Sequence, residues 1–354
     1  MKREKLCLLG GGVVIGLIAV ALVLFGNPAN MGFCIACFLR DSAGALKLHS
    51  AGVVQYLRPE IIGLVLGAFC MALCFREFRP RGGSSPFIRL IIGFFVMVGA
   101  LVFLGCPFRM ILRLAAGDLN ALVGLLGFVA GIGVGVLFLQ KGFSLGASRA
   151  QHNAEGAAFP ALQIVLLVVL VVFPTLLAFS EEGPGSMRAP LLISLAAGLI
   201  VGAVAQRLRL CMAGGIRDLF LFRDSTLFLG YVGVFAGALV LNLITGKFHP
   251  GFAGQPIAHT QHVWNFLGMT LVGLGSVLLG GCPLRQLVLA GEGNSDAAVT
   301  VIGFVLGAAF CHNFGLASSA DGTTPNGRIA LIAGLIVTLA IACLFTFKRK
   351  DTKS

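Results

Sequence analysis

The sequence predicts an all-α protein of about ten membrane helices in two inverted repeats, with four short re-entrant segments that meet near the midplane. Composition is the first observation: 57% of the 354 residues are hydrophobic and 11% are charged, whereas soluble domains carry about 25% charged residues. The mean hydropathy is +0.97. The second observation is that the apolar runs are continuous over helix-spanning lengths, unlike the alternating strands of a transmembrane barrel. A soluble or disordered chain is thereby excluded.

Ten apolar runs approach the length of about 20 residues that a membrane helix needs. They lie at 6–26, 59–76, 86–104, 121–140, 161–179, 190–206, 226–246, 262–280, 297–315 and 327–347. The first run follows a basic start, MKREK, and lacks a convincing small-residue cleavage site. We therefore expect a retained signal-anchor at this end rather than a cleaved signal peptide.

Basic residues predict the orientation of the helices. With the N-terminus in the cytoplasm, 16 of the 26 Lys and Arg residues fall in cytoplasmic loops and 5 in outer loops, and the other 5 lie in apolar or motif segments. Because cytoplasmic loops are enriched in Lys and Arg, we expect both termini and loop 141–153 to be cytoplasmic. The acidic loop 180–186 is then outside. The net charge of +12 comes from basic loop residues that set the orientation of the helices, so no nucleic-acid partner is predicted.

Two polar motifs recur in the second half of the chain at nearly the same distance. Residues 34–41 (CIACFLRD) match residues 211–218 (CMAGGIRD) at an offset of 177. Residues 105–109 (GCPFR) match residues 281–285 (GCPLR) at an offset of 176. Chance rarely produces two polar matches at one spacing, so we predict an internal repeat.

The number of spans predicts that this repeat is inverted. Five spans occupy each half of the chain, and an odd number turns the second half upside down relative to the first. We place the boundary in the basic loop, so that 1–150 is the first repeat and 151–354 the second, within one transmembrane domain. Inverted repeats put a central site where the two units meet, lined by short or broken helices.

The motif segments are too short to cross a membrane. They comprise residues 31–48, 106–117, 210–222 and 282–293, and each holds Arg among apolar residues, with Asp or Asn inside the segment or directly after it. Irregular backbone at membrane depth requires cover by protein or water. We therefore predict four re-entrant segments, two from each face, that point toward the middle.

Pro107 and Pro283 each follow a cysteine and open an apolar stretch. Proline is favoured at the first position of a helix, so Cys106 and Cys282 are predicted N-caps of short helices. Their sulfurs would lie beside free N–H groups at the positive end of the helix dipole, where anions bind and thiol pKa values fall. An arginine follows three residues after each cysteine and would add positive charge: Arg109 and Arg285.

The other cysteines divide into path candidates and packing residues. Cys34 is expected to face the path, its repeat partner Cys211 is a candidate for the same position, and Cys37 is expected to pack. A single C-x-x-C pair is insufficient for a structural zinc site, which needs four ligands. The remaining cysteines are predicted to pack as small apolar side chains: Cys7, Cys70, Cys74, Cys311 and Cys343.

Other polar residues are assigned two kinds of role. Arg40 with Asp41, and Arg217 with Asp218, are predicted intramembrane ion pairs, either functional or pinning the re-entrant backbone. The six histidines lie mostly in loops and are expected to be solvated. No nucleotide-binding or nucleophile motif occurs, and no metal or cofactor is predicted.

The run Asn30–Phe38 and the two Gly-Cys-Pro motifs resemble the YeeE/YedE family of bacterial sulfur-compound permeases over nearly the whole chain. Together with residues 113–124 and 141–146, that run resembles the YedE branch linked with selenium metabolism. Thiosulfate-transporting members of the family are hourglass-shaped and pass the substrate along cysteines at the pore centre. The resemblance therefore implies path roles for the cysteines that match: Cys34, Cys106 and Cys282.

The predicted function is uptake of a small selenium or sulfur anion across the bacterial cytoplasmic (inner) membrane, in the main interpretation as a selenium transporter and not an enzyme. Thiosulfate uptake is the alternative. A redox or transfer enzyme using Cys34 and Cys37, and a protein that docks a soluble sulfur or selenium carrier through loop 141–160, are the rivals. The predicted path comprises Cys34, Cys106, Cys211, Cys282, Arg109 and Arg285, with Pro107 and Pro283 starting its helices.

Overall fold

The computed structural model of the chain describes residues 2–351, with side chains from residue 3 to residue 346. The described part is built from helices, with two short strands, β1 (Arg81–Gly82) and β2 (Arg149–Ala150), and a 3₁₀ turn at Pro174–Leu176. The helices are α1 (Lys2–Leu24), α2 (Ile35–Ala45), α3 (Pro59–Cys74), α4 (Pro86–Phe103), α5 (Pro107–Ala115), α6 (Asn120–Gln140), α7 (Asn153–Val172), α8 (Gly183–Ser186), α9 (Leu191–Arg207), α10 (Met212–Phe222), α11 (Thr226–Ile244), α12 (His262–Leu278), α13 (Pro283–Gly291), α14 (Ser295–Asn313) and α15 (Pro325–Asp351).

Each of the ten predicted spans coincides with one long helix: α1, α3, α4, α6, α7, α9, α11, α12, α14 or α15. Nine segments of the described chain are long and apolar enough to cross a membrane, and α3 is a shorter apolar helix of 16 residues. The prediction of an all-α, multi-pass membrane protein is confirmed. The four motif segments form the short helices α2, α5, α10 and α13, of 9 to 11 residues each.

Helix packing follows a reciprocal pattern. Helix α1 packs along α11, and α3 packs along α9; α4 packs along α14, and α6 packs along α12. The motif offsets match α1–α6 with α9–α14 in order, and exchanging the two sets converts each of these contacts into its counterpart. Two parallel backbone bridges are related by the same exchange of the two sets: Arg81 pairs with Asn294, and Asp118 pairs with Gly251.

We propose that the repeat units are α1–α6 and α9–α14, related by inversion. A boundary at residue 150 leaves four spans in the first unit, so α7 is the additional span that reverses the direction of the second.

Loops predicted to share a face do contact each other. Strand β1 in the α3–α4 loop pairs with β2 in the α6–α7 loop. The Gln55 N–H group donates to Ser180 Oγ at 2.7 Å between two loops of the other face.

The expectation of solvated histidines is wrong for His49 and His259, which are buried. His49 Nε2 lies 3.0 Å from the Arg40 carbonyl oxygen, and His259 Nε2 lies 2.8 Å from the Val102 carbonyl oxygen. Burial lowers the pKa of both imidazoles, which keeps them neutral at pH 7. These loops therefore fold back onto the ends of helices instead of extending into water.

Glycines allow the long helices to approach closely, and α1 offers a matched pair for testing this. A Cβ atom at Gly12 would collide with the Gly230 carbonyl group of α11, whereas a Cβ at Gly10 would meet open space. We expect Gly12→Ala to destabilise the protein by about 2 kcal/mol through overpacking. Gly10→Ala should be neutral or slightly stabilising because alanine favours helix. Thermal unfolding in detergent measures the difference, and equal melting temperatures for the two variants would contradict the packing.

Candidate functional site

Two of the short helices begin with a cysteine whose sulfur caps the helix. Cys34 precedes α2, and its sulfur accepts the Cys37 N–H group at 3.3 Å. Cys211 precedes α10, and its sulfur accepts the Gly214 N–H group at 3.2 Å. Both cysteines are buried. The matched positions of the repeat therefore carry the same local structure.

The other two short helices begin as predicted. Cys106 and Cys282 are the N-cap residues of α5 and α13, and Pro107 and Pro283 occupy the first turn. The chain reaches each cysteine through a left-handed residue two positions earlier, Leu104 or Gly280, with φ of 62° and 81°. This sharp turn lets a short helix reverse into the protein interior. The prediction of Cys-Pro helix starts is confirmed.

Cys34, Cys37 and Cys106 form the first cysteine group. Cys34 and Cys106 are the N-cap residues of α2 and α5. The two helix starts lie side by side, because Arg109 Nη1 of α5 lies 3.8 Å from the Cys37 sulfur of α2. Two helix N-termini therefore converge on this group, which gives it a positive electrostatic potential.

Cys211 and Cys282 form the second cysteine group. Their sulfurs are 4.0 Å apart, and the Tyr231 hydroxyl oxygen is 3.8 Å from the Cys282 sulfur. Because Cys211 and Cys282 are the N-cap residues of α10 and α13, the N-termini of these two helices converge here as those of α2 and α5 do in the first group. The structure thus pairs Cys211 with Cys282.

Aromatic side chains connect the two groups. Phe33, which precedes Cys34, and Phe108, which follows Pro107, have ring centroids 6.2 Å apart. Phe108 in turn meets Tyr231 at 6.4 Å in an edge-to-face arrangement. All three rings are buried. The interval between the cysteine groups is therefore closed by packed side chains, and passage of any solute requires these rings to move.

Arg109 is fully buried beside the first cysteine group. Its guanidinium donates to the carbonyl oxygens of Asn30 at 3.1 Å and Ile257 at 3.2 Å, and to that of Leu104. Its Nη1 also lies 3.8 Å from the Cys37 sulfur. Among the described side chains, no carboxylate forms an ion pair with it. A buried cation without a counter-ion attracts an anion, since burial of an unpaired charge is unfavourable.

Arg285, the repeat partner of Arg109, has different surroundings. Its Nη1 forms an ion pair with Glu292 Oε1 at 3.0 Å, and its side chain is 15% exposed. The sequence predicted equal roles for the two arginines, whereas their contacts differ. Arg109 brings uncompensated charge to the first group, while Glu292 largely neutralises Arg285 near the second.

A cavity lies beyond each cysteine group, at opposite ends of the molecule. The first, of about 230 Å³, is lined by Asn30 and by Lys247 and His249 of the α11–α12 loop. The second, of about 210 Å³, is lined by four arginines, two glutamates and one asparagine: Arg79, Arg81, Arg209, Arg285, Glu77, Glu292 and Asn294. A hydrogen bond from Gln206 holds the pKa of Glu77 below its usual range. The four arginines outnumber the two glutamates, so the wall of this cavity is positive.

The remaining polar candidates lie away from the cysteine groups or pin the backbone. Asp41 accepts from Arg40 and also from Arg58, each at 2.7 Å, and Arg58 donates to the Pro184 carbonyl oxygen at 2.9 Å. Arg217 pairs with Asp218 at 2.8 Å. The predicted ion pairs are confirmed, and the contacts of the first favour a pinning role. Of the packing cysteines, Cys311 is buried and four are exposed on the helices: Cys7, Cys70, Cys74 and Cys343.

Three site residues were not predicted from the sequence. Tyr231 touches Cys282, Phe108 touches Tyr231, and Cys37 lies against Arg109 instead of only packing. Tyr231 is one of only two tyrosines in the chain, which is the sole local signal it carries. Its contact with α13 depends on long-range packing that spacing along the chain does not reveal.

Removing the Tyr231 hydroxyl tests its place in the second cysteine group. Tyr231→Phe retains the ring against Phe108 but loses the O–H beside the Cys282 sulfur. We expect substrate flux to fall about fivefold, corresponding to about 1 kcal/mol for one lost hydrogen bond, with no loss of protein. Tyr56→Phe is the control, because Tyr56 packs against Phe179 away from both groups. Unchanged flux in Tyr231→Phe would remove the hydroxyl from the path.

Comparison with known proteins finds similarity to sulfur-transport proteins in the second half of the chain. Residues 207–348 match the family model described as sulphur transport. The thiosulfate transporter TsuA of Spirochaeta thermophila is 34% identical over 114 residues, 32% of this chain and 34% of that protein. The thiosulfate transporter TsuA of Escherichia coli is 29% identical over 107 residues, 30% of each.

The chain thus aligns with about a third of the length of the curated relatives it matches. The matched region includes Cys211, Cys282 and Arg285. It therefore contains the second cysteine group together with α10 and α13. The second half of the chain is thus similar to sulfur-transport proteins, which supports the resemblance to the YeeE/YedE family that the Gly-Cys-Pro motifs predicted.

Proposed function

We propose that the protein is a membrane permease that takes up thiosulfate or a closely related sulfur oxyanion. The single observation that carries this proposal is the burial of two cysteine groups at converging helix N-termini, between a cavity that contains Lys247 and a cavity lined by four arginines. The path would lead from the Lys247 cavity past the first group, between Phe108 and Tyr231, and past the second group to the arginine-lined cavity.

The chemistry of these groups suits an anion with a soft sulfur end. Thiols donate weak S–H hydrogen bonds to the terminal sulfur of thiosulfate, and the backbone N–H groups near Cys106 and Cys282 offset the charge of its oxygens. Thiolates would repel the anion, so the working form of the groups is the neutral thiol. Weak contacts made in series allow the substrate to leave each position, which conduction requires.

Arg109 supplies the attraction at the first group. Its buried guanidinium has carbonyl and thiol partners only, and an anion is a stronger partner than either. Arg285 is already paired with Glu292 and holds an anion less tightly. This difference supports entry and binding at the first group and release through the second.

A selenium oxyanion is the second candidate. The run Asn30–Phe38 supports it by resemblance to the branch linked with selenium metabolism, and it adds a third thiol, Cys37, against Arg109. The relatives that match are thiosulfate transporters, which favours thiosulfate as the first substrate to test.

Uptake into proteoliposomes of the purified protein tests both candidates. We expect labelled thiosulfate to accumulate, with selenite, selenate and sulfite tested as competitors at tenfold excess. If selenite or selenate inhibits thiosulfate uptake more strongly than sulfite does, a selenium oxyanion is favoured as the substrate. Absence of uptake, or recovery of the label in a chemically altered product, would refute the permease and favour a membrane enzyme.

The orientation is proposed from the distribution of basic residues, with both termini and loop 141–153 in the cytoplasm of a bacterial cell and the arginine-lined cavity facing inward. Residue 350 lies outside the described side chains. An impermeant maleimide should label Glu181→Cys in intact cells and Ser148→Cys only after lysis, since both positions are exposed. The reverse pattern would invert the proposed direction. Loop 141–160 would then lie outside the cell and could not dock a soluble cytoplasmic carrier.

A further inference from the structure

The two sulfurs of the second cysteine group are placed for a reaction with each other. Cys211 and Cys282 belong to different short helices, are 71 residues apart in the chain, and bring their sulfurs to 4.0 Å. Both have extended backbone as N-caps, so rotation of the side chains about χ1 moves the sulfurs without unwinding a helix. A disulfide bond needs an approach to about 2 Å.

We propose that Cys211 and Cys282 form a reversible disulfide that closes the path when the cell is exposed to hydroperoxide. The bond itself is independent of the transported solute, whereas its effect on uptake rests on the proposed function. It would join the N-termini of α10 and α13 and remove both thiol donors of the second group at once.

Cys282 is the attacking thiol because its sulfur lies 3.8 Å from the Tyr231 hydroxyl oxygen and Cys282 is the N-cap of α13, where the helix dipole stabilises a thiolate. Its thiolate attacks one oxygen of hydrogen peroxide, the O–O bond breaks, and the released hydroxide takes the thiol proton as water. The product is a sulfenic acid on Cys282. The Cys211 sulfur then attacks the Cys282 sulfur, the S–S bond forms, and the S–O bond breaks. The departing hydroxide takes the Cys211 proton, so two thiols lose two electrons and one peroxide becomes two waters.

The proposed route for the oxidant is the arginine-lined cavity. Arg285, three residues after Cys282 in α13, lines this cavity, so a small neutral oxidant would approach the second group from that end. A dithiol reductant reverses the bond by thiol–disulfide exchange, through a mixed disulfide with one of the two cysteines. The switch therefore needs only a hydroperoxide and a thiol reductant, both small enough to enter by the cavity.

The test uses the purified full chain treated with hydrogen peroxide, followed by alkylation of free thiols, digestion and mass spectrometry. We expect a cross-linked peptide joining Cys211 to Cys282, lost on reduction with dithiothreitol. Cys34→Ser is the matched control and should retain this cross-link. Cys211→Ser should lack it and should instead show Cys282 as a sulfenic acid trapped by dimedone.

Uptake in proteoliposomes gives the second readout. Peroxide should lower thiosulfate uptake by the wild-type protein at least tenfold, and dithiothreitol should restore it. A cross-link with unchanged uptake would overturn the claim that the bond closes the path. Free Cys211 and Cys282 after peroxide, or a bond between Cys34 and Cys37 alone, would overturn the proposal outright. If the protein transports nothing, the peptide map still decides whether the disulfide forms, so the two proposals fail separately.

Discussion

Replacing Cys106 and Cys282 together with serine is expected to reduce uptake below a tenth of the wild-type value while leaving the protein folded. Serine is a preferred N-cap residue, so α5 and α13 keep their first turns beside Pro107 and Pro283. The hydroxyl is close in size to the thiol but is a harder donor that binds water more strongly. It therefore loses the soft contact with the substrate's sulfur while the helix N-termini stay in place.

Cysteines on the outside of the bundle provide the controls for this change. Cys70 and Cys343 are exposed on long helices, so Cys70→Ser and Cys343→Ser should transport at nearly the wild-type rate. Uptake is measured per mole of protein recovered as a single species by gel filtration. Full transport by the double variant would refute the thiol path and leave a pore that works by shape and helix dipoles alone.

Replacing Arg109 with alanine is expected to lower both uptake and stability, whereas the same change at Arg285 lowers mainly uptake. Arg109→Ala leaves the buried carbonyl group of Leu104 and the partly buried carbonyl groups of Asn30 and Ile257 without their donor. An unsatisfied buried polar group costs about 1–3 kcal/mol, so we expect a loss of about 2 kcal/mol or more. Arg285 makes one ion pair, with Glu292, and both side chains line the arginine-lined cavity. Water can therefore reach the carboxylate that Arg285→Ala leaves behind, and the loss of stability should be smaller than for Arg109→Ala.

Thermal unfolding in detergent and uptake per folded molecule separate these two effects. Arg109→Lys retains the positive charge but not the planar fork that serves three carbonyl groups. It should therefore be destabilised like Arg109→Ala while keeping more of the uptake per folded molecule. Equal stability of Arg109→Ala and wild-type protein would show that the three carbonyl contacts contribute nothing.

Residues 106–109 illustrate how much of the site was predictable from the chain itself. The Cys-Pro sequence specifies a helix start through the fixed φ angle and missing N–H group of proline, and the structure has that start at both positions. The arginine three residues later is predicted to add charge in either repeat. Its actual partners differ between the repeats: Arg109 donates to remote Ile257, whereas Arg285 pairs with Glu292 at the end of its own helix.

The spans were predictable because a membrane helix needs a long apolar run, which is a local property of the sequence. Which spans pack against each other was not predictable, because α1 packs on α11 and α3 packs on α9, and these helices are far apart in the chain. For the same reason Tyr231 was missed, since α11 brings it to Cys282 only in the assembled bundle. Buried His49 and His259 were missed because polar side chains in loops give no sign of the helix carbonyl groups that they contact.

Protection of the cysteines by substrate tests most directly the claim that both cysteine groups lie on one path. Purified protein is treated with a small thiol-specific reagent with and without saturating thiosulfate, and the modification rate of each cysteine is followed by mass spectrometry. We predict that thiosulfate slows the modification of Cys106 and of Cys282 at least fivefold. It should leave unchanged the rate at Cys311, which is buried but outside both groups. Equal rates at Cys106 and Cys282 with and without thiosulfate, or protection of Cys311 to the same degree, would contradict the path.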